Sequence, residues 1–366
     1  MKIFAPLFRY DYGDPEHGES LEKVVFVPAL SVSAEVYPFW LEEHGYPNDI
    51  NGLQQAILAE AGTFNPDLIF FILMRDEVRP ATISTLSKRW HTANWFCDDQ
   101  WRFDTFTRFI APLLTYPITV DKYSLPNYHA IGCKKVILSQ WASSYLPMTE
   151  RFSKFEYDVS FVGGRNSVRE WYIRELKKKG IKVSCFGEGW PAGRVSYDKM
   201  KTIMQQSKIC LNLSNSQPRD RSYFSYIWRR FAFAVLGINA DIDGYSNSLR
   251  CALNNLYNLY RSEKRVEQIK ARNFEIPAWG GFQLSQFAIG IDDYFVPGRE
   301  IAIFSNIEEL VKLIHYYLSN ADERESMRLA GNRRAAHYTY ENRINDIVEW
   351  IGNDQNILKD NELDQG

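Results

Sequence analysis

Residues 268–286 read QIKARNFEIPAWGGFQLSQ, and this stretch decides how the rest of the chain is interpreted. A helical pattern ends at a proline, and the pair Gly280-Gly281 then turns the chain into a short strand. The charged side chains of the helical part are Lys270, Arg272 and Glu275. Glycines allow a ligand close to the backbone, and a nearby helix start favours anions. These are features that favour close approach of an anionic ligand.

Outward from this stretch, short apolar runs alternate with helical patterns, which favours βαβ units and parallel sheets. The predicted strands of the first half are residues 23–27, 67–73, 91–97, 116–120 and 135–139. Those of the second half are residues 157–162, 182–186, 209–213, 282–284 and 301–304. Ser167-x-x-Glu170 and Ser305-x-x-Glu308 are capping boxes, which predict helix starts.

The chain of 366 residues is long enough for two domains. A polar stretch at 143–157 predicts the linker between them. We predict an N-terminal domain over residues 1–150, a second domain over 156–340, a closing helix over 341–352 and a flexible tail over 353–366. Residues 217–265 fit this series poorly and are interpreted as an insertion or helical elaboration of the second domain.

Composition excludes several classes of function. The formal charge of −2 gives no electrostatic case for a nucleic-acid partner. No apolar run reaches the roughly 18 residues of a membrane span, and the N-terminus does not read as a signal peptide, so a cytoplasmic protein is expected. The five cysteines form no CxxC or Cys/His cluster, and no structural zinc site is predicted. Aromatic residues make up 15% of the chain, which suits saccharide-binding clefts as well as large cores.

Eight positions of the opening stretch resemble the nucleotide-binding segment of GT-B glycosyltransferases, and more narrowly that of the CgeB-like, family-one-like group. They are Lys270, Arg272, Phe274, Glu275, Ala278, Gly280, Gly281 and Phe282. Further similarities are DVSFVG at 158–163, WFCDDQWR at 95–102 and HYTY at 337–340. The family pattern has a cysteine where this chain has Trp279.

The resemblance implies an α/β protein of the GT-B type, with two Rossmann-like domains facing a cleft and C-terminal helices closing the second domain. It implies a nucleotide-diphosphate sugar as donor and a glycan, lipid-linked or protein acceptor. Glu275 is expected on the ribose, and Lys270 and Arg272 near the diphosphate. The glycine pairs Gly163-Gly164 and Gly280-Gly281, with Arg165, are expected around the donor.

No metal and no cofactor are expected, since no DxD-type motif is present and the nucleotide sugar is a substrate whose base stays open. The resemblance favours retention of configuration at the transferred sugar. Glu267 lies eight positions before Glu275, a spacing associated with retaining GT-B enzymes. Because both glutamates are expected in one helix or its approach, we interpret Glu267 as a solvated helix residue.

Asp98 and Asp99 close a predicted strand of the first domain. Adjacent carboxylates at this end of a strand can position or deprotonate an acceptor hydroxyl. They are equally typical of a turn or N-cap that precedes a helix. Both interpretations stay open at this point, with Asp99 the stronger candidate for the cap.

Two other functions compete with sugar transfer. A GT-B-like carbohydrate-binding or assembly protein without turnover explains the aromatic content equally well, and peripheral membrane contact is compatible with either function. An NAD-dependent oxidoreductase is disfavoured, because the G-x-G-x-x-G fingerprint is absent.

Overall fold

A computed structural model describes residues 1–148, 154–213 and 267–363, together with the positions 227–228, 231–232, 235–236 and 253; side chains are described up to Gln355. The segment 217–265 therefore lies almost entirely outside the described residues. The chain divides into two compact units, one formed by Met1–Ser144 with His337–Gly366 and the other by Tyr145–Ala336.

The first unit is built on a six-stranded sheet in the order β2-β1-β3-β4-β5-β6, in which all neighbours are parallel. Its strands are β1 Lys2–Leu7, β2 Glu35–Trp40, β3 Leu68–Phe71, β4 His91–Phe96, β5 Tyr116–Thr119 and β6 Ile137–Leu138. Its helices before the second unit are α1 Val27–Ser31, α2 Ile50–Phe64, α3 Pro80–Ser87, α4 Asp99–Arg102, α5 Arg108–Ile110 and α6 Leu125–Ala130.

Strands β3 to β6 confirm four predicted strands, whereas the predicted strand 23–27 is wrong. This segment is a π-helical turn, Glu22–Phe26, that continues into α1. The Ser20 hydroxyl accepts a hydrogen bond from the Lys23 amide (3.1 Å), and burial of Val25, Phe26 and Ala29 follows helical spacing. The β-branched run suggested a strand, but its burial has the helical period.

Glu22 at the start of this turn makes stability depend on pH. Burial raises the pKa of its carboxyl to about 7 from 4.5. The native state therefore holds the proton more tightly than the unfolded chain, and the stability present below pH 4.5 is lost as the pH rises through about 7.

We expect Glu22→Gln to stabilise the protein by about 2 kcal/mol at pH 8, or about 5 °C in Tm, and to change nothing near pH 4. Thermal unfolding followed at both pH values measures this difference. Glu16→Gln, at an exposed position in the same part of the chain, is the control and is expected to show no such gain. An equal effect of Glu22→Gln at both pH values would contradict the prediction.

The second unit is built on a five-stranded parallel sheet in the order β11-β10-β9-β7-β8. Its strands are β7 Tyr157–Val162, β8 Ser184–Phe186, β9 Ser207–Asn212, β10 Gln283–Gln286 and β11 Ala302–Phe304. Its helices are α7 Ser167–Lys178, α8 Tyr197–Gln205, α9 Ala271–Ala278, α10 Ile307–Ser319 and α11 Ala321–Ala335. All five predicted strands of this half are confirmed.

Both predicted capping boxes are displaced by one residue. The N-caps of α7 and α10 are Asn166 and Asn306, whose side chains accept from the Arg169 and Glu309 amides. Leu310 and Ile314 of α10 share a buried cluster with the sheet residue Leu284. The helices following β11 thus close the core of this unit.

The last helix, α12 Tyr340–Leu363, belongs to the first unit, although we assigned it to the closure of the second. The Tyr340 ring packs 5.2 Å from Phe26. Asp354 accepts from the Tyr116 hydroxyl (2.7 Å) and from Lys135 (2.6 Å). The prediction of a flexible tail from residue 353 is therefore wrong for its first part, because its polar side chains find partners on the first unit. Along the described part of the chain, no helix combines the length and apolar character needed to cross a bilayer.

Candidate functional site

Ligands of parallel α/β sheets bind beyond the carboxyl ends of the strands, where the strand order reverses. In the second unit this reversal lies between β7 and β9, which are neighbours in the sheet. Gly163 and Gly164 follow β7 directly, and Leu213 follows β9. This edge is the candidate site for a ligand of the second unit.

Arg169 joins the two sides of the reversal point. It lies in the first turn of α7, and its guanidinium donates to the Gly164 carbonyl (2.6 Å) and the Leu213 carbonyl (3.2 Å). Burial, with the neighbouring Arg272 as the second cause, lowers the pKa of Arg169 to about 10. Two guanidinium groups close together make this edge electropositive. Sequence reasoning missed Arg169; its available signal was a cation in the first helical turn after a glycine pair.

Arg272 and Glu275 form an ion pair on α9. Arg272 Nη1 lies 2.5 Å from Glu275 Oε2, one helical turn away. Glu275 is only 4% exposed. Burial raises the pKa of its carboxyl, and the Arg272 guanidinium opposes this shift. The predicted ribose-binding carboxylate is thus held in place by the predicted phosphate-binding cation.

The start of α9 is attached to the carboxyl ends of β9 and β10. The Asn273 amide side chain donates to Ser285 Oγ (3.1 Å), and Asn212 donates to the same oxygen (3.1 Å). The Lys270 backbone amide donates to Asn273 Oδ1 (3.0 Å). The first turn of α9 therefore begins at the edge where Gly163 and Gly164 lie. The structure brings the backbone of Lys270 and the Arg272–Glu275 pair to this edge.

Glu267 is not a helix residue, which corrects our interpretation. Helix α9 begins at Ala271, and Glu267 lies in the segment before it. Its carboxylate accepts from Gln286 Nε2 (3.4 Å), at the carboxyl end of β10. Glu267 and Glu275 therefore reach the same edge from a loop and from a helix.

Gly163 and Arg165 are tied into the turn that follows β7. The Gly163 amide donates to the Phe186 carbonyl (2.8 Å), and its carbonyl accepts from Trp190 Nε1 (2.9 Å). The Arg165 guanidinium lies 3.2 Å from the Glu170 carboxylate and 5.1 Å from the centre of the Trp190 ring. We predicted Arg165 as a phosphate contact; its side chain instead packs against Trp190 and Glu170.

Gly280 and Gly281 lie at the other edge of the sheet, because they precede β10. Gly280 has φ +80, and a Cβ there would lie 2.2 Å from Met148 Sδ. A Cβ on Gly281 would lie 2.9 Å from Cys210 Sγ. The glycine pair is required by close packing inside the unit. The prediction that it surrounds the donor is therefore corrected.

In the first unit, Asp99 is a buried structural anchor. It is 2% exposed, and its carboxylate accepts from Thr107 (2.7 Å), Thr119 (2.5 Å) and Tyr128 (2.6 Å). Burial raises its pKa to about 6, against the effect of these three hydroxyl groups. The prediction of Asp99 as the N-cap is wrong, because Asp98 is the N-cap residue of α4 and the Asp99 carboxylate binds three side-chain hydroxyl groups instead. Asp98 remains partly exposed at the carboxyl end of β4.

No group of three or more His, Cys, Asp or Glu side chains suited to a metal ion occurs among the residues that the structure describes. Arg169 and Arg272 lie at the candidate edge, and the five donors of a guanidinium suit bidentate contacts with phosphate oxygens. The arrangement is therefore suited to holding an anion by charge-assisted hydrogen bonds.

The fold is the GT-B fold of known glycosyltransferase structures, in agreement with the predicted fold class. Over 96% of this chain and 99% of the other, it is similar to sucrose-phosphate synthase from Thermosynechococcus elongatus, with a TM-score of 0.54 and 12% identity. It is similar to Anabaena HepE in complex with UDP-glucose over 96% and 100% of the two chains, with a TM-score of 0.53 and 11% identity.

The sequence of the second half was also compared with models of protein families. Residues 165–231 and 239–349 match the model of a family described as glycosyl transferase-like. No curated protein matches the chain at a significant level. The match covers helices α7 and α9, which carry Arg169, Arg272 and Glu275.

Proposed function

We propose that this protein is a glycosyltransferase that moves a sugar from a nucleotide-diphosphate donor to a hydroxyl acceptor. The observation that carries the proposal is the group formed by Arg169, Arg272 and Glu275 at the β7/β9 reversal point. The match to the glycosyl transferase-like family and the similarity to a structure in complex with UDP-glucose support it.

Each part of such a donor has a chemical partner at this edge. The Glu275 carboxylate is suited to accept both ribose hydroxyl protons, and Arg272 is suited to the diphosphate. In the reaction, the bond between the anomeric carbon and the diphosphate oxygen breaks while a bond to the acceptor oxygen forms. The charge on the departing nucleoside diphosphate grows in this step, and fixed cations stabilise it.

We further propose that transfer is metal-independent and retains the anomeric configuration. Two arginines at the candidate edge supply the positive charge that a metal otherwise provides. The position of Glu267, in a loop before the helix that carries Glu275, supports retention. The motif resemblance supports a place in the CgeB-like group and a role in cytoplasmic polysaccharide or glycoconjugate assembly.

A thermal-shift and product-release experiment tests the proposed function. The protein is heated with UDP, GDP, TDP or CDP and with the corresponding sugar nucleotides. A ligand at 100 times its Kd stabilises the fold by about 2.7 kcal/mol, so one of these series is expected to raise Tm by at least about 5 °C. Sugar nucleotides of that series are then expected to release nucleoside diphosphate. A Tm that none of the series changes would contradict the proposal.

A GT-B-like carbohydrate-binding protein without turnover is the second candidate. The burial of Asp99 favours it, because one of the two predicted acceptor carboxylates is occupied by three hydroxyl groups of the protein itself. A raised Tm without any release of nucleoside diphosphate would support this candidate.

A further inference from the structure

Strand β10 carries buried polar side chains, although it lies between two other strands of a parallel sheet. Gln283 is 2% exposed and Ser285 is 1% exposed, and the two side chains share one face of the strand. Buried strands of parallel sheets are usually continuous apolar runs, because an unpaired buried polar group costs free energy. The partners of both side chains lie on helix α9, which carries Arg272 and Glu275.

Gln283 supplies a hydrogen bond that helix α9 cannot make by itself. Pro277 lies inside this helix and has no N–H, so the Asn273 carbonyl four residues earlier lacks its helical donor. The Gln283 amide satisfies its surroundings only with its nitrogen towards the helix, where it donates to the carbonyls of Asn273 (3.2 Å) and Arg272 (3.2 Å). Gln283 therefore binds the backbone of Arg272 itself, whose guanidinium pairs with Glu275.

Ser285 binds the same helix from the next position on this face of β10. Its hydroxyl oxygen accepts from the side-chain amides of Asn273 (3.1 Å) and Asn212 (3.1 Å), and the hydroxyl donates to the Gln286 carbonyl (2.9 Å). One donated and two accepted bonds use the full capacity of a hydroxyl group. Because Asn212 is the last residue of β9, these bonds fix the start of α9 against two strands at once.

We propose that Gln283 and Ser285 are positioning residues for the nucleotide donor. They hold the part of α9 that carries Arg272 and Glu275 at a fixed height and rotation against β10. Apolar packing is non-directional, whereas hydrogen bonds to a backbone and to a capping side chain have a defined geometry. Bidentate contacts with a ribose or a diphosphate tolerate little displacement of the groups that make them. Both roles rest on the proposed function and add the residues that position its binding groups.

Calorimetric titration of the whole protein with UDP, GDP, TDP and CDP, at low temperature, tests these roles in the variant Gln283→Met. Methionine has a similar length but no donor, so the Asn273 carbonyl loses its partner. We expect the nucleoside diphosphate that binds the parent to bind Gln283→Met about tenfold more weakly. Gln283→Glu is the conservative variant, because burial keeps its carboxyl protonated and one O–H donor remains. At about pH 5 it is expected to bind the nucleotide within about threefold of the parent.

Asn332→Ala is the matched control, because Asn332 binds carbonyls at the other end of the same helix. Its side-chain amide donates to the carbonyls of Pro277 (2.9 Å) and Ala278 (3.1 Å). Asn332→Ala and Gln283→Met both leave buried carbonyls without a donor, so each is expected to lower Tm by at least about 5 °C. Only Gln283→Met is expected to weaken nucleotide binding.

Equal nucleotide binding by Gln283→Met and the parent overturns the positioning role, and so does an equal loss of binding in Asn332→Ala. If Gln283→Met does not fold, Ser285→Ala takes its place, since it removes the acceptor of two side-chain amides; the same loss of about tenfold is expected. A parent that binds none of the four nucleotides overturns the proposed function as well. Binding by the parent that the variants retain unchanged leaves the proposed donor site standing and shows that the positioning role is wrong.

Discussion

Glu275→Gln is expected to weaken about 100-fold the binding of the nucleoside diphosphate that stabilises the parent protein, which is UDP if the uridine series raises Tm. A carboxylate that accepts two hydroxyl protons makes two charge-assisted hydrogen bonds, each contributing about 1.5–3 kcal/mol. An amide oxygen keeps at most one of them. Glu275 is also the partner of Arg272, at 2.5 Å, so the substitution releases a cation at the same edge. Inorganic pyrophosphate, which has no ribose, is therefore expected to bind Glu275→Gln as tightly as it binds the parent, or more tightly.

The chain provides a matched control for this variant. Glu325 and Arg328 form a second buried ion pair with the same spacing, at 2.5 Å, and Arg328 also donates to the Gly280 carbonyl (2.9 Å). This pair lies at the amino end of β10. Glu325→Gln is expected to perturb the fold as much as Glu275→Gln does and to leave UDP binding unchanged. Isothermal titration of both variants with UDP and pyrophosphate separates the two effects. If Glu275→Gln binds both UDP and pyrophosphate more weakly than the parent does, Glu275 supports the structure of the site and does not contact the ribose.

The fold was predictable from the sequence wherever the spacing of the apolar residues matches the secondary structure that buries them. The second sheet has short apolar strands between helices, and all five were predicted. The first sheet was harder, because Lys2–Leu7 and Glu35–Trp40 carry prolines and polar residues that weaken a strand pattern. The segment 23–27 has β-branched residues on a helix. Two residues outside this segment mark it as helical: Ser20 accepts a hydrogen bond from the Lys23 amide, and Ala29 continues the helical spacing of buried residues.

The candidate site was predictable only in part, because a motif does not show which end of a strand it occupies. Lys270, Arg272 and Glu275 were found through the pattern, and the side chains of Arg272 and Glu275 meet near Arg169. Gly280 and Gly281 belong to the same motif, yet they precede β10 and pack inside the unit. Arg165 and Arg169 are both cations after a glycine pair. The conformation of the loop after β7 directs the Arg165 side chain towards Trp190. It directs the Arg169 side chain towards the β7/β9 reversal point.

Asp98 and Asp99 show how the same residue type serves two purposes at adjacent positions of the chain. Both residues follow β4 closely in the sequence, so the sequence alone does not distinguish their environments. In the structure the Asp99 carboxylate accepts from Thr107, Thr119 and Tyr128, whereas Asp98 is the N-cap residue of α4 and stays partly exposed. The two aspartates are therefore expected to respond differently to the same substitution.

Asp99→Ala is expected to destabilise the first unit by about 3 kcal/mol at pH 5, because three buried hydroxyl groups lose their acceptor. This corresponds to a decrease of about 8 °C in Tm. The folded pKa of Asp99 is raised to about 6 from 3.8, so the parent gives up part of its own stability as the pH rises between these values. The penalty of the substitution is therefore expected to be about 1 kcal/mol smaller at pH 8 than at pH 5.

Asp98→Ala is the control for this prediction, since its carboxylate lies next in the chain but is not bound by these three hydroxyl groups. We expect it to change Tm by less than about 2 °C. A Tm of Asp99→Ala within 2 °C of the parent would show that the three hydroxyl groups find other acceptors. A penalty that grows with pH would contradict the raised pKa of Asp99. The difference between the two variants thus isolates what the Asp99 carboxylate contributes to the fold.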